Sequence, residues 1–335
     1  MRDDLIIPVS VLDSKRGSDT EILIILFEKC NLRCPFCHQD HDSKVGASRD
    51  EILSHAQLVK DRYSDSGRYM VNISGGELFS DDIPDEYFDW YFDLAKEIDD
   101  TVEDLELTFV TNFVFKKTER FQAFLDRLVA AGIEPHIATS WDPVGRFNKE
   151  DSLTFFENLI EFKSYIRVVG TVLTVQNIRA IMEKKPWIFK WIHRELPVYF
   201  DHYSPIQRND PLIPTDEQLV DFWLFCLEHY PNVKPLANWV EGASITTCRK
   251  TTITTPTGEI VTCRALPKED RNNNFLDGEL ERQGSEYSFL EQYKCFECEY
   301  YSRCGLRCFL AHEYSGNKSP VCQYKRLFAF IESKE

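Results

Sequence analysis

The feature that most constrains how this chain can fold is a run of six short apolar segments, four of them followed by a stretch with helical periodicity. Glu21 to Phe27 (EILIILF) reads as a buried strand, with a helix over Asp50 to Tyr63. Met70 to Ser74 is a second strand, with a helix between about Pro84 and Ile98. Leu105 to Thr111 precedes a helix near Thr118 to Ala131, and Ile133 to Ser140 precedes one near Asp151 to Phe162. Tyr165 to Leu173 and Pro197 to Tyr203 complete the set. Repeated strand and helix units imply an α/β parallel sheet with right-handed crossovers, and six strands curling together give a partial barrel. Active sites of such sheets lie at the carboxyl ends of the strands, so functional residues are expected directly after them.

The segment after the first strand, FEKCNLRCPFCH, carries Cys30, Cys34 and Cys37 with the spacing C-x3-C-x2-C. Three thiolates can hold a four-iron cluster and leave one iron open, whereas a closed cluster normally takes four. A zinc knuckle is the alternative, although zinc sites usually pair cysteines as C-x2-C and complete four ligands locally. Gly75, Gly76 and Glu77 follow the second strand, where glycines allow close backbone approach and a carboxylate can accept from an ammonium group. Thr111 and Asn112 end the third strand and Ser140 and Asp142 the fourth, while Thr174 and Asn177 follow the fifth. Strand-end turn residues that satisfy backbone groups are the alternative for these. Arg146, in SWDPVGRF, offers a two-pronged donor suited to a carboxylate.

The triad, with aromatic Phe36 before its last cysteine and the GGE at 75–77, resembles the radical SAM superfamily. The resemblance implies a 4Fe-4S cluster on Cys30, Cys34 and Cys37 whose open iron is chelated by S-adenosyl-L-methionine. It implies one-electron cleavage of that cofactor to a 5'-deoxyadenosyl radical, which removes a hydrogen atom from a substrate. Gly75, Gly76 and Glu77 would hold the methionyl amino group. Phe36, Thr111, Asn112, Ser140, Asp142, Arg146, Thr174 and Asn177 are the further cofactor-binding candidates, and a flavodoxin- or ferredoxin-type protein would donate the electron.

A second cysteine group comprises Cys248, Cys263, Cys295, Cys298, Cys304, Cys308 and Cys322, in the pattern C-x9-G-x4-C, a gap, C-x2-C-x5-C-x3-C, a gap, and C, with Gly258 as the glycine. It resembles the SPASM extension of radical SAM enzymes, which binds two auxiliary 4Fe-4S clusters. By that resemblance Cys295, Cys298, Cys304 and Cys322 would hold the outer cluster, and Cys248, Cys263 and Cys308 the one nearer the barrel. Two complete clusters need eight thiolates, so the inner one has either an open iron or a non-cysteine ligand such as Glu241. Zinc is the alternative occupant of this module. Cys226, at helical spacing with Leu219, Phe222, Trp223 and Tyr230, reads as a packed core thiol.

The expected organisation is an N-terminal segment (1–20), the radical SAM partial barrel (21–206), a linker with a connecting helix (207–241) and the SPASM domain (242–335). His38, Asp40, His41 and Asp42 read as a solvated loop, and the acidic run from Ser80 to Glu106 as an amphipathic helix with a wet outer face. Eleven cysteines, an odd number, favour metal ligation over a disulfide framework, and the net charge of -16 argues against a nucleic-acid partner. Neither a signal peptide nor a membrane span is expected, which places the protein in the cytoplasm. The few residues before the first strand leave no room for a leader-binding domain.

Three substrate classes stay open. The first is a peptide or natural-product intermediate undergoing net oxidation, by crosslinking or dehydrogenation. The others are a sugar or aminocyclitol, dehydrogenated or epimerised, and no substrate at all in a non-catalytic iron–sulfur or zinc protein. Arg264, where the sulfatase-maturing branch has an aspartate after the second cysteine of the extension, disfavours that branch.

Overall fold

Parallel pairing of strands in chain order builds the protein. The computed structural model describes residues 20–44, 46–62, 69–102, 105–184, 186–242, 251–261, 284, 286–301, 304, 308–316 and 318–334. Its first elements are β1 (Thr20–Ile25), α1 (Arg49–Arg62), β2 (Tyr69–Ser74), α2 (Glu86–Asp99), β3 (Leu105–Val110) and α3 (Thr118–Ala130). They continue with β4 (His136–Ser140), α4 (Lys149–Glu161), β5 (Ile166–Leu173), α5 (Val175–Arg179), α6 (Trp187–Glu195) and β6 (Val198–His202). Each strand from β1 to β6 lies parallel beside the next, so the expected α/β sheet of sequentially ordered strands is present.

Alternation along the strands divides the two faces of the sheet. Ile22, Ile24, Val71, Ile73, Leu107 and Phe109 join one fully buried core with Ile52 and Val59 of α1, Leu94 and Ile98 of α2, and Phe121 and Phe124 of α3. Each such side chain contributes about 1.5–3 kcal/mol on full burial. Phe79, just past β2, packs edge to face against Phe121 at 4.6 Å between centroids, so the loop after β2 is anchored in this core. The intervening residues point to the other face and line a polar lumen of about 600 Å³ that includes Glu21, Asn72, Glu106, Ser140, Arg167 and Asp201. Asn72 donates to Glu21 at 2.7 Å, and Arg167 pairs with Glu106.

Two differences from the sequence reading have local causes. β4 starts at His136 rather than Ile133, because Gly132 at φ +83° ends α3 and the Ile133 N–H turns back to the Leu128 carbonyl at 3.0 Å. The sheet also continues beyond β1: β7 (Thr251–Thr254) pairs parallel with it, Ile22 opposite Thr252, and β8 (Ile260–Val261) returns antiparallel. The C-terminal part therefore begins as an extension of the barrel sheet. Between β6 and β7 lie α7 (Asp216–His229), started by a Thr215/Gln218 capping box, and α8 (Leu236–Val240). After β8 come α9 (Phe309–Tyr314) and α10 (Tyr324–Glu332). No helix among the described residues is long and apolar enough to cross a membrane.

Candidate active site

The cysteine loop and the glycine loop are two strand ends bonded to each other. Leu26 N–H donates to Ser74 O at 2.9 Å as β1 and β2 finish, then Gly76 N–H donates to Phe27 O at 2.8 Å and Glu77 N–H to Lys29 O at 2.9 Å. A Cβ on Gly76 would sit 1.7 Å from the Lys29 carbonyl oxygen, and one on Gly75 would meet Leu78 at 2.8 Å. The glycines thus admit the cysteine loop itself. The loop after β4 closes from the other side, where Gly145, at φ +84°, would bring a Cβ within 2.9 Å of Pro35.

These loops enclose a cavity of about 230 Å³ lined by Cys30, Cys34 and Cys37 together with Phe36, Gly75, Gly76, Thr111, Asn112, Ser140 and Arg146. It adjoins the lumen, and Ser74, Val110 and Ser140 line both. Residues far apart in the chain therefore converge at the carboxyl ends of the strands. Burial, then the Glu77 charge, pushes the Cys30 thiol up to about 12, and burial raises Cys34 as well. Thiols so placed give up their protons only to a compensating cation such as cluster iron. Among the described residues no three histidine, cysteine or carboxylate groups gather tightly enough to hold a single ion. The triad surrounds a cavity instead of a point, which suits a multi-iron cluster with each thiolate on its own corner.

Four expected contact residues stand behind the cavity wall. Glu77 is fully buried, and its carboxylate accepts from Thr111 Oγ1 at 2.6 Å, Asn112 N–H at 2.5 Å and Phe79 N–H at 3.1 Å. Its donors are protein groups, so it braces the third strand end rather than presenting a free oxygen. Burial raises its pKa to about 7 against the pull of those hydrogen bonds and of Arg146.

Asp142, also buried, accepts from Arg146 Nε at 2.6 Å, Val172 N–H at 2.7 Å and Asn177 Nδ2 at 3.0 Å. Asn177 in turn accepts from Val144 N–H at 3.1 Å, and Thr174 caps α5 by accepting from Asn177 N–H. Asp142, Thr174 and Asn177 consequently form a platform under Arg146 and do not line the cavity, because polar groups at buried strand ends must first satisfy one another. Arg146 does line it, with its guanidinium 5.3 Å from the Phe36 ring centroid. Its Nε–H is spent on Asp142, and no hydrogen bond to another described residue engages its Nη groups.

Sequence reading missed Gln39 and Asn31. Gln39 lines the cavity and joins the loops, accepting from Cys37 Sγ at 3.5 Å and donating to Gly75 O. Asn31 sits inside the cysteine motif and donates to Val114 O at 2.6 Å. Its place between two thiols was the available signal. His38 and His41 also line the cavity, although they read as part of a solvated loop.

In the C-terminal part, Cys295, Cys298, Cys304 and Cys322 line one narrow cavity walled by Tyr293, Tyr300, Tyr324 and Phe328. Cys308 packs elsewhere, against the apolar cluster of Leu32, Cys34, Phe36, Tyr203, Leu310 and Tyr314 that also carries Cys30 and Cys37. Cys248 and Cys263 lie outside the described residues. Cys226 is fully buried in α7.

No family model and no curated protein matches the sequence. Solved structures do. Native anSMEcpe with bound AdoMet and the Cp18Cys peptide aligns at TM-score 0.63 and 14% identity, over 95% of this chain and 100% of that one. A hexahistidine-tagged anSMEcpe with bound AdoMet aligns at 0.64 and 14%, over 94% and 97%. Streptococcus suis SuiB aligns at 0.53 and 16%, over 93% of this chain and 78% of that one. The fold is that of the partial barrel of radical SAM enzymes.

Proposed function

We propose that this protein is a radical SAM enzyme of the SPASM type that abstracts hydrogen from a peptide or natural-product substrate, giving net oxidation by crosslinking or dehydrogenation. The observation that carries the reading is the convergence of Cys30, Cys34 and Cys37 with Gly75, Gly76 and Arg146 around one cavity that adjoins the lumen. When bound, a four-iron cluster and S-adenosylmethionine supply one electron and a carbon radical.

The chain's own residues hold and orient. Cys30, Cys34 and Cys37 would hold the cluster, and the Gly75 and Gly76 backbone would form the edge of the cofactor pocket. Arg146, aimed by Asp142, would meet the cofactor carboxylate through its Nη groups. Leu32, Phe36 and Val172 give the cavity apolar walls that exclude water from the reacting atoms. The lumen, with its polar lining, receives the substrate. A peptide as that substrate is supported by the peptide bound to the structurally similar anSMEcpe.

Cys295, Cys298, Cys304 and Cys322 would hold an outer auxiliary cluster, and Cys308 with Cys248 and Cys263 an inner one. Electron acceptors placed there would suit a net two-electron oxidation, and a flavodoxin- or ferredoxin-type protein would supply the initiating electron. Iron, sulfide and zinc content after anaerobic reconstitution tests the cluster inventory. About 12 irons with matching sulfide per chain supports three clusters, whereas about four irons with zinc restricts the redox role to the triad.

A further inference from the structure

Asn112 spends only one end of its side chain as a strand-end turn residue would. Its Oδ1 accepts from Val114 N–H at 2.7 Å, while its Nδ2 donates to Asn31 Oδ1 at 2.8 Å and reaches Cys30 Sγ at 3.7 Å. The orientation of this amide is chemically determined, because a backbone N–H can only donate and so must face the oxygen. Asn31 is fixed in the same way, its Nδ2 donating to Val114 O, which can only accept. The two ends of one residue, Val114, thus lock both amides, and the lock leaves an Asn112 N–H facing the thiol sulfur.

The loop that presents Val114 is itself held in an uncommon conformation. Phe113 has φ +57°, which a bulky side chain adopts only where its surroundings over-determine it. Those surroundings are present: buried Asn158 of α4 donates to the carbonyls of Phe113 and Phe115 at 2.9 and 2.8 Å, and the Phe113 ring stacks on Phe162 at 6.0 Å. Leu32 N–H adds a second donor to Cys30 Sγ at 3.4 Å.

From this network we infer that Asn112 tunes the reduction potential of the cluster on Cys30, Cys34 and Cys37, raising it by donating a hydrogen bond to the Cys30 thiolate. Hydrogen bonds to cluster sulfurs withdraw charge and favour the reduced state. The role rests on the assignment of the three cysteines as cluster ligands and makes Asn112 a positioning and tuning residue. It also accounts for Asn112 lining the cavity while its amide is engaged on the protein side.

The test is a redox titration of the reconstituted protein, following the electron paramagnetic resonance signal that changes when S-adenosylmethionine is added. Asn112→Asp keeps the acceptor for Val114 N–H but removes the donor to sulfur, and Asn112→Ala removes both. At the wild-type midpoint potential each variant is expected to show about a tenfold lower ratio of reduced to oxidised cluster, a shift of ~59 mV to more negative potential. Iron content should equal wild type in Asn112→Asp. An unchanged midpoint in an iron-loaded Asn112→Asp overturns the inference, and that variant decides the matter alone if Asn112→Ala fails to load iron. A wild-type protein with no signal responsive to S-adenosylmethionine overturns the functional reading first, and the inference with it.

Discussion

Gly76 and Lys29 are in backbone contact so close that a Cβ at position 76 would stand 1.7 Å from the Lys29 carbonyl oxygen. Through this contact the loop after β2 fixes the start of the cysteine loop after β1. Gly76→Ala must push the two strand ends apart and break the Gly76–Phe27 and Glu77–Lys29 hydrogen bonds. The expected outcome is a loss of about 3 kcal/mol or more in stability and a sharp fall in iron at the triad, read by denaturant unfolding and iron assay.

Arg146 owes its position to Asp142, and Asp142 in turn is steadied by Asn177. Losing one charge-assisted contact costs about 1.5–3 kcal/mol, so Arg146→Gln should weaken S-adenosylmethionine binding roughly 10- to 100-fold in equilibrium dialysis. Asn177→Ala should weaken it less while destabilising the fold by about 1–3 kcal/mol, since the half-buried Val144 N–H loses its acceptor and buried Asp142 loses a donor.

Glu77 gives stability a pH dependence of definite sign. Burial raises its pKa to about 7 from an ordinary 4.5, so between these values the folded protein holds a proton that the unfolded chain releases. Its contribution is complete below pH 4.5 and falls as pH rises to about 7. Relative to Glu77→Gln, the wild type should lose stability across this window, on the order of 3 kcal/mol for a shift of that size. Melting both cluster-free proteins from pH 4.5 to 7.5 checks it, and a wild type that gains on the variant as pH rises contradicts the direction.

Cys226 and Cys298 should separate cleanly. Cys226 is fully buried in α7 and lines neither cysteine cavity, so Cys226→Ala should leave the iron content unchanged and cost about 1–2 kcal/mol. Cys298 shares its cavity with Cys295, Cys304 and Cys322, so Cys298→Ala should lose about four irons while S-adenosylmethionine cleavage persists and substrate turnover fails.

The parts legible in the sequence were those governed by local periodicity and by chain order. The strand runs EILIILF and LELTFV carry their burial in their composition, and the rule that sites follow strands brought Cys30, Gly75, Thr111 and Ser140 to one cavity. Contacts between distant segments were not legible. TTIT at 251–254 is too short and polar to declare itself a strand, and its partner β1 lies more than two hundred residues earlier. Direction was equally hidden: Glu77, Thr174 and Asn177 follow strands as expected, but their side chains turn inward to satisfy buried groups. The glycine pair in the sequence suggests room for a ligand, whereas the neighbour Gly76 admits is Lys29.

Formation of 5'-deoxyadenosine is the most direct measurement of the central claim. Anaerobically reconstituted protein, given a low-potential reductant and S-adenosylmethionine, should release 5'-deoxyadenosine and methionine, and Cys34→Ala should release neither. Cleavage that persists in Cys34→Ala, or an iron-loaded wild type that leaves S-adenosylmethionine intact, would contradict the account.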